Sequence, residues 1–459
     1  MSDVNALAKE RFDLYKDLFG GNVPARVPVN NPLTLDAMFE YTGANVAEVY
    51  WDMTKAEAVF DKVCADFPAD SIPGGTRRYP SFYQLLGYRG CMMSSTGNLN
   101  SPEVIGLEAD DYDYLISSPY DCLVERALPR LCSELDNTSP EHKFLAMSKA
   151  FSAWRDEMAS VGGLIGKIRD RYGFPMISRS QTLAPFDCLS DFLRGFSGIS
   201  LDLRRVPDKV KAAAEAVTPL MIKRGHIPQL SELNLTLIPL HMAPYLRQKD
   251  AEQYFFPTLL TVVNALNEMG HTVELSLQVK YDRFIDCLQD FPENTILVPE
   301  QSDDYQAFKD KLGKKFIISG LYPVALLMTG TKGECVDKAK EMLDIFAPGG
   351  KYLFGFDKGI MNLTGNTAEN LRAVLEYVYN NATYTPEQRS GNSVVKQKPS
   401  RSAEIIEEAN NSIKSKYYTP WAQYKENHPE LYKGLDDVIG SKIMRYEDAM
   451  FSFIINKIS

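Results

Sequence analysis

The sequence predicts an α/β protein whose core is a closed (β/α)8 barrel, or TIM barrel, carrying extra helices. The chain has 459 residues, of which 44% are hydrophobic and 24% charged, an ordinary globular composition. Apolar runs of strand length, each ending in polar residues, recur along the chain and alternate with helical patterns. Eight such runs in roughly 360 residues favour a closed barrel over an open doubly wound sheet.

The elements follow from local patterns. An N-terminal helix is predicted because Ala8, Phe12, Tyr15 and Phe19 recur at helical spacing before Gly20. Helices are also predicted between the later strands, for example over 251–269 and 334–346. The eight predicted strands lie near Val27 and over residues 69–72, 174–180, 235–241, 273–278, 295–301, 316–320 and 352–357.

Two stretches of the chain are additional to the strands and helices of a minimal (β/α)8 barrel. Residues 75–170 form a long insertion with predicted helices over 123–135 and 144–158, and the glycine-rich residues 162–167 predict a turn between helices. Residues 384–459 form a polar linker and a helical C-terminal extension, which we expect to pack on the barrel or on a second subunit as a homodimer. The predicted division is therefore 1–383 for the barrel and 384–459 for the extension.

Composition excludes several classes of protein. The net charge is −10, which disfavours nucleic-acid binding because that binding rests on Lys and Arg neutralising phosphates. Seven cysteines without a CxxC motif indicate free thiols in a reducing compartment. No apolar stretch reaches the roughly 18 residues that span a bilayer. We therefore expect a cytoplasmic protein without a membrane or nucleic-acid partner.

Familiar catalytic motifs are missing from the sequence. There is no HExxH, no GxxxxGK[ST] phosphate loop and no GxSxG. Zinc requires three or four N, S or O ligands that converge on one point, and the histidines and cysteines show no helpful local spacing. We therefore expect no metal site of this kind.

Several short stretches together resemble one known family, the uroporphyrinogen decarboxylase superfamily. The resemblance extends over about residues 5–380, begins with the opening helix and is strongest in the last third of that range. The matching stretches are residues 26–29 (RVPV), 184–186 (APF) with Gly195, 316–327 (FIISGLYPVALL), 348–353 (PGGKYL), 358–360 (KGI) and 370–371 (NL). This superfamily has a (β/α)8 barrel, in agreement with the strand count.

The resemblance implies one of two chemistries, decarboxylation of a porphyrinogen or methyl transfer involving a corrinoid. The decarboxylase branch carries arginines after its first strand, where this chain reads NNPLTLD over residues 30–36. The tyrosine expected between Pro185 and Gly195 is Asp191, and the histidine expected before Gly359 is Lys358. Only the pyrrole-binding aspartate of the family has a counterpart, at Asp70.

The zinc-dependent, thiol-methylating branch is also matched poorly. Its His-x-Cys pair corresponds to Ser276 and Gln278, and its third ligand corresponds to Lys358. The resemblance therefore implies a methyltransferase that removes a methyl group from a small O- or N-methyl compound. Its cofactor is expected to be cobalamin carried by a small corrinoid-binding partner protein. The alternatives are a cofactor-free decarboxylase and a barrel that only binds a ligand.

Active sites of (β/α)8 barrels lie at the carboxyl ends of the strands, which selects the candidate residues. Cobalt supplies the nucleophile for transfer to a corrinoid, so the protein must polarise or protonate the leaving group. The candidates for this acid–base catalysis are Asp70, His241, Glu300 and Asp357. The candidates for substrate binding are Asn31, Arg78, Arg179, Gln278, Tyr322 and Lys358.

Overall fold

A computed structural model describes residues 2–74, 80–94, 97, 99–228, 230–393, 400–429 and 434–456. Most of the β structure in these residues is parallel, and the first two strands pair antiparallel. The strands are β1 (Met92–Met93), β2 (Leu99–Asn100), β3 (Ser178–Gln181), β4 (Asn234–Leu240), β5 (Thr272–Lys280), β6 (Ile296–Gln301), β7 (Ile317–Ile318), β8 (Leu321–Tyr322) and β9 (Gly355–Phe356).

Helices precede, separate and follow these strands. Those before β3 are α1 (Ser2–Phe19), α2 (Leu35–Thr42), α3 (Val46–Trp51), α4 (Glu57–Asp66), α5 (Pro80–Leu86), α6 (Tyr112–Ser117), α7 (Pro119–Cys122), α8 (Leu128–Leu131) and α9 (Pro140–Tyr172). Those between β3 and β9 are α10 (Pro185–Asp187), α11 (Gly195–Arg205), α12 (Pro207–Gly225), α13 (Gln248–Asp250), α14 (Phe256–Glu268), α15 (Ile285–Leu288), α16 (Tyr305–Leu312), α17 (Val324–Thr329) and α18 (Lys332–Phe346). The last are α19 (Thr367–Asn381), α20 (Ser402–Ser412), α21 (Trp421–Asn427) and α22 (Asp436–Ile455). Within the part of the chain that the structure describes, no helix is long and apolar enough to cross a membrane.

Eight segments of the chain lie side by side in parallel. Strands β3 to β7 form one sheet in sequence order, and single bridges add the remaining segments at its β7 edge. The first predicted strand, near Val27, lies between residues 352–360 and the segment that contains Asp70, whose N–H donates to the carbonyl of Val29 (2.8 Å). The spatial order is therefore 69–74, 26–34, 352–360, 317–322, 296–301, 272–280, 234–240 and 178–181. This confirms the mixed α/β class and the approximate positions of the predicted strands.

The ends of this array, residues 69–74 and 178–181, are where a barrel would close. Among the described residues no backbone hydrogen bond joins them. Arg11 of α1 bridges this side instead, since Nη2 donates to the carbonyl of Ala69 (2.7 Å) and Nη1 to that of Tyr172 (2.6 Å). Closure of the barrel therefore stays a prediction.

Helix α1 covers the amino-terminal end of the array. Its buried Tyr15 and Leu18 pack against Leu235, Ile296 and Ile317, which come from three different strands. Alternate strand residues point to one side, so these apolar residues form a floor on the inner face. The register places Arg179 level with Leu235 and Glu274 level with Ile296, so these polar residues border the floor.

The insertion differs from its prediction in two places. The residues predicted as a turn, 162–167, lie inside the single 33-residue helix α9. The helix continues because Val161, Leu164 and Ile168 keep a buried stripe at helical spacing, which offsets the low helix propensity of the glycines. The region predicted as one helix over 123–135 begins with the π-helical turn Leu123–Ala127. It continues as α8, which ends at Leu131.

The described part of the C-terminal extension packs on the insertion and on α12. Phe453 of α22 is fully buried, and its ring lies 5.5 Å from Phe151 and 5.6 Å from Trp154 of α9. Lys223 of α12 contacts Asp448 of α22. The extension thus shares a hydrophobic core with the residues before it, and the domain boundary at 383/384 stays a prediction.

Candidate functional site

Three of the four predicted catalytic side chains lie near one another at the carboxyl edge of the parallel strands. His241 directly follows β4, Glu300 lies near the end of β6 and Asp357 directly follows β9. The negative charge of Glu300 raises the pKa of both His241 and Asp357, so its carboxylate lies within electrostatic reach of each. This edge is where α/β proteins place their ligands, and we take it as the candidate site.

His241 forms a hydrogen-bonded pair with Asp191. The carboxylate Oδ2 of Asp191 contacts Nδ1 of His241, and the hydroxyl of Ser190 donates to Oδ1 of Asp191 (2.9 Å). Asp191 comes from the π-helical turn Cys188–Arg194, which follows β3. Because Nδ1 is held by the carboxylate, the opposite nitrogen Nε2 is left to meet a ligand, and 29% of the side chain is exposed. A histidine fixed in this way suits proton transfer.

Asp187 holds the backbone on which His241 sits. Its side chain is fully buried, and its carboxylate accepts the backbone N–H of His241 and of Met242, both at 3.0 Å. Burial, followed by the charge of Asp191, raises the pKa of Asp187. Its contacts position the end of β4.

The surroundings of His241 favour its charged form. Burial lowers the pKa of His241, but the hydrogen bond that its Nδ1–H donates to Asp191 and the charges of Asp187, Asp191 and Glu300 outweigh that effect. The pKa of His241 therefore lies above its usual range. An imidazolium that persists to higher pH can serve as a proton donor at the site.

Glu300 is fixed by an unusual backbone conformation in the neighbouring strand. The N–H of Val279 donates to Oε2 of Glu300 (3.0 Å). Val279 has φ +64°, in a strand whose register with β6 shifts between Leu277 and Lys280. A β-branched residue in the left-handed region costs about 1–3 kcal/mol. Such strain is concentrated at functional sites.

Asp357 lines a cavity next to this strand end. Its Oδ1 accepts the N–H of Val324 (3.0 Å), and burial raises its pKa. The cavity has a volume of about 270 Å³ and is lined by both Glu300 and Asp357. The other lining residues are Lys280, Gln301, Ser302, Asp303, Tyr305, Leu321 and Pro323.

A second group of polar side chains belongs to the inner face of the strands. Gln278 and Glu274 alternate on β5 with Val273, Leu275 and other buried residues that face the helices. Glu274 was not predicted as a site residue. Burial raises its pKa and the positive charge of Arg179 on β3 lowers it, with a net rise. Arg179 and Glu274 thus lie within electrostatic reach of each other.

Asp70 does not belong to this site, which corrects the prediction of a catalytic role. Its buried carboxylate accepts two hydrogen bonds from Arg26 (both 2.7 Å), one from Arg11 (3.3 Å) and one from the N–H of Val29 (2.9 Å). Every partner comes from α1 or from the beginning of the first predicted strand. The carboxylate is therefore engaged in holding the fold together.

Tyr322 is also absent from the site, contrary to the prediction of substrate binding. Its side chain is fully buried, and its hydroxyl donates to the carbonyl of Cys335 on α18 (2.9 Å). Residue 322 therefore faces the helix layer and not the inner face.

The remaining predicted residues vary in position. Oδ1 of Asn31 accepts the N–H of Leu33 (3.0 Å), so it shapes its own loop. Lys358 is exposed beside Asp357. Arg78 lies outside the described residues.

Sequence reasoning missed Asp187 and Asp191 as partners of His241. Their spacing of four residues places both on one face of a helix, which was the available signal. Glu274 was signalled by the alternation of polar and apolar residues over 272–278.

The described residues contain no group of three or more His, Cys, Asp and Glu side chains arranged to hold a metal ion. All seven cysteines are free. Cys188 follows Asp187 directly, and burial raises its pKa to about 12.

The elements and the site define a mixed α/β protein with a mainly parallel sheet and a polar site at its carboxyl edge. Its fold is similar to that of a solved methyltransferase from Methanosarcina mazei, with a TM-score of 0.51 and 14% sequence identity. The similarity covers 81% of this chain and 98% of that chain. No protein-family model matches the sequence, and neither does any curated protein.

Proposed function

We propose that this chain is a corrinoid-linked methyltransferase of the uroporphyrinogen decarboxylase type, built on a closed (β/α)8 barrel. It would move a methyl group from a small O- or N-methyl compound to cobalamin carried by a small partner protein. The fold similarity to a methyltransferase and the spatial order of the eight parallel segments support this proposal.

The pair of His241 and Asp191 is the observation that carries the proposal. A corrinoid, when bound, supplies the nucleophile that accepts the methyl group. The carbon–oxygen or carbon–nitrogen bond of the donor breaks, its electron pair stays on the heteroatom, and Nε2 of His241 delivers a proton to that atom. Asp191 fixes the ring and favours its charged form, and Glu300 contributes a further negative charge.

Two exposed aromatic side chains, close in sequence to Asp191 and His241, support binding of a corrinoid. Phe196 at the start of α11 and Tyr245 just after β4 are 49% and 61% exposed. Their rings meet edge to face with centroids 5.6 Å apart. Exposed aromatic rings beside a strand-end site can cover the apolar parts of a corrinoid.

Cofactor-free decarboxylation has less support than it had from the sequence. That alternative depended on Asp70, whose carboxylate is fully engaged by Arg26, Arg11 and Val29. A barrel that only binds a ligand would not need an acid–base pair at its strand ends.

The proposal is tested by mixing the protein anaerobically with cob(I)alamin and a panel of methoxy and N-methyl compounds. Absorbance spectra report the formation of methylcobalamin. We expect protein-dependent conversion with at least one donor. A flat trace across the panel, with a known methyltransferase responding in parallel, would refute the proposal.

A further inference from the structure

Arg179 faces the inner side of the parallel strands. Its neighbours on β3 and just beyond point outward to α12, because Ser180 donates to the carbonyl of Gly225 (2.7 Å) and Thr182 to that of Met221 (2.6 Å). Side chains alternate along a strand, so Arg179 projects to the opposite side. Its charge lowers the pKa of both Tyr15 on the floor and Glu274 on β5, which agrees with this direction.

The guanidinium of Arg179 is open to a ligand. Among the described residues, no hydrogen bond or ion pair engages its side chain, and the residue is exposed although it projects inward. Three buried arginines, by contrast, are engaged by carboxylates: Arg26 and Arg11 bind Asp70, and Arg194 binds Asp202. The space above the floor is therefore accessible, and a cation faces it.

We propose that Arg179 binds a carboxylate group of the methyl donor. This inference rests on the proposed function and adds the chemical class of the substrate. A guanidinium presents a planar fork of donors that matches a carboxylate in two parallel hydrogen bonds. A carboxylate fits better than a phosphate because Arg179 supplies a single positive charge and has Glu274, an acid, as its neighbour.

This arrangement sets the orientation of the methyl donor along the strands. The carboxylate binds Arg179 on the inner face, and the methyl-bearing heteroatom lies toward the strand ends, where His241 delivers the proton. Gln278 follows Leu277, which pairs with Leu240 directly before His241, so it lies about level with His241 and can donate to the substrate near the heteroatom.

The test is direct binding, measured by isothermal titration calorimetry without cobalamin. The probes are methoxyacetate and 4-methoxybenzoate, each compared with its neutral amide, and inorganic phosphate. We expect at least one carboxylate to bind about tenfold or more tightly than its amide. Arg179→Gln should remove that preference, Arg179→Lys should keep part of it, and Arg205→Gln, at an exposed arginine on α11, should match the wild type.

Three outcomes would overturn the inference: equal binding of carboxylates and amides, no binding by any probe, or an undiminished preference in Arg179→Gln. Tighter binding of phosphate than of either carboxylate would overturn the assignment of the anion. Thermal unfolding confirms that the variants are folded. Because binding needs no turnover, carboxylate binding that survives a failed methyl-transfer assay would refute the proposed function alone.

Discussion

At the scale of single residues, the two aspartates beside His241 differ in exposure and in what they touch. Asp187 is fully buried and accepts only backbone N–H groups, whereas Asp191 keeps 20% of its side chain exposed and contacts the imidazole. Both carry negative charge that raises the pKa of His241, together with Glu300. The buried residue fixes position, and the accessible one tunes the proton donor.

Asp191→Asn should shift the pH dependence of methyl transfer. The donor form of His241 is protonated, so activity falls as pH rises through its pKa. Removing the charge of Asp191 lowers that pKa, and we therefore expect the falling limb to move to lower pH. Rates measured across the pH range check this, with Asp110→Asn at an exposed site as the control. An unmoved limb would contradict the coupling.

Asp70→Asn should destabilise the protein strongly. It removes the anion shared by Arg26 and Arg11, which are 7% and 6% exposed, and removing one partner of a buried ion pair costs about 3–5 kcal/mol. The measurement is the free energy of unfolding by denaturant. The matched control is Asp13→Asn, which breaks an exposed pair with Lys9 and should cost less than about 1 kcal/mol. Equal losses would remove the structural role assigned to Asp70.

At the scale of elements, strand β5 carries both parts of the site. Its regular half presents Glu274 and Gln278 inward, and its irregular end turns the N–H of Val279 toward Glu300. In a strand with regular pairing, that N–H would donate to a backbone carbonyl of the neighbouring strand. The register shift thus holds the acidic side chain at the edge.

Val279→Gly tests the strain at this bulge. Glycine adopts φ +64° without steric cost, so we expect the free energy of unfolding to stay unchanged or to rise by about 1 kcal/mol. Val273→Gly is the comparison, because Val273 is buried on the same strand, and it should lose about 2–4 kcal/mol. A loss at residue 279 as large as that at residue 273 would contradict the strain.

The C-terminal helix α22 is expected to contribute to the stability of the whole fold. Phe453 packs among Phe82, Phe151 and Trp154, so Phe453→Ala should lower the free energy of unfolding by about 3–5 kcal/mol. Val438→Ala, at a residue of α22 that is 67% exposed, should change it by about 0.5 kcal/mol or less. A small effect of both variants would mean that the extension is not part of the core.

At the scale of the whole molecule, periodicity was enough to predict the α/β class and most strand positions. Apolar runs such as 273–278 have both the length and the composition of buried strands. The long helix α9 was divided wrongly because its glycines were weighed by local propensity, whereas the buried stripe of Val161, Leu164 and Ile168 decides the outcome. The strands predicted near Val27 and Asp70 are present as parallel segments, but isolated bridges and not continuous ladders of hydrogen bonds join them to their neighbours.

The site was only partly predictable. His241, Glu300 and Asp357 lie near one another because strand ends converge in a parallel sheet, and their catalytic roles stay predictions. Asp70 and Tyr322 lie away from the site for different reasons. Asp70 is near the beginning of the parallel segment 69–74 and not at its carboxyl end. Tyr322 faces the helix layer, a direction that cannot be predicted unless the register is known. The partners Asp187 and Asp191 lie at the end of α10 and in the following π-helical turn, and their spacing of four residues was the signal that could have found them. The cytoplasmic location and the homodimer stay predictions.

The central claim is that His241 protonates the leaving group during methyl transfer to a corrinoid. The most direct test compares the wild type with His241→Gln in the cob(I)alamin assay, using the best donor of the panel. His142→Gln, at an exposed histidine paired with Glu134, is the control. We expect His241→Gln to slow methylcobalamin formation by about 10²- to 10⁴-fold and His142→Gln to leave it unchanged. Equal rates for the wild type and His241→Gln would contradict the claim.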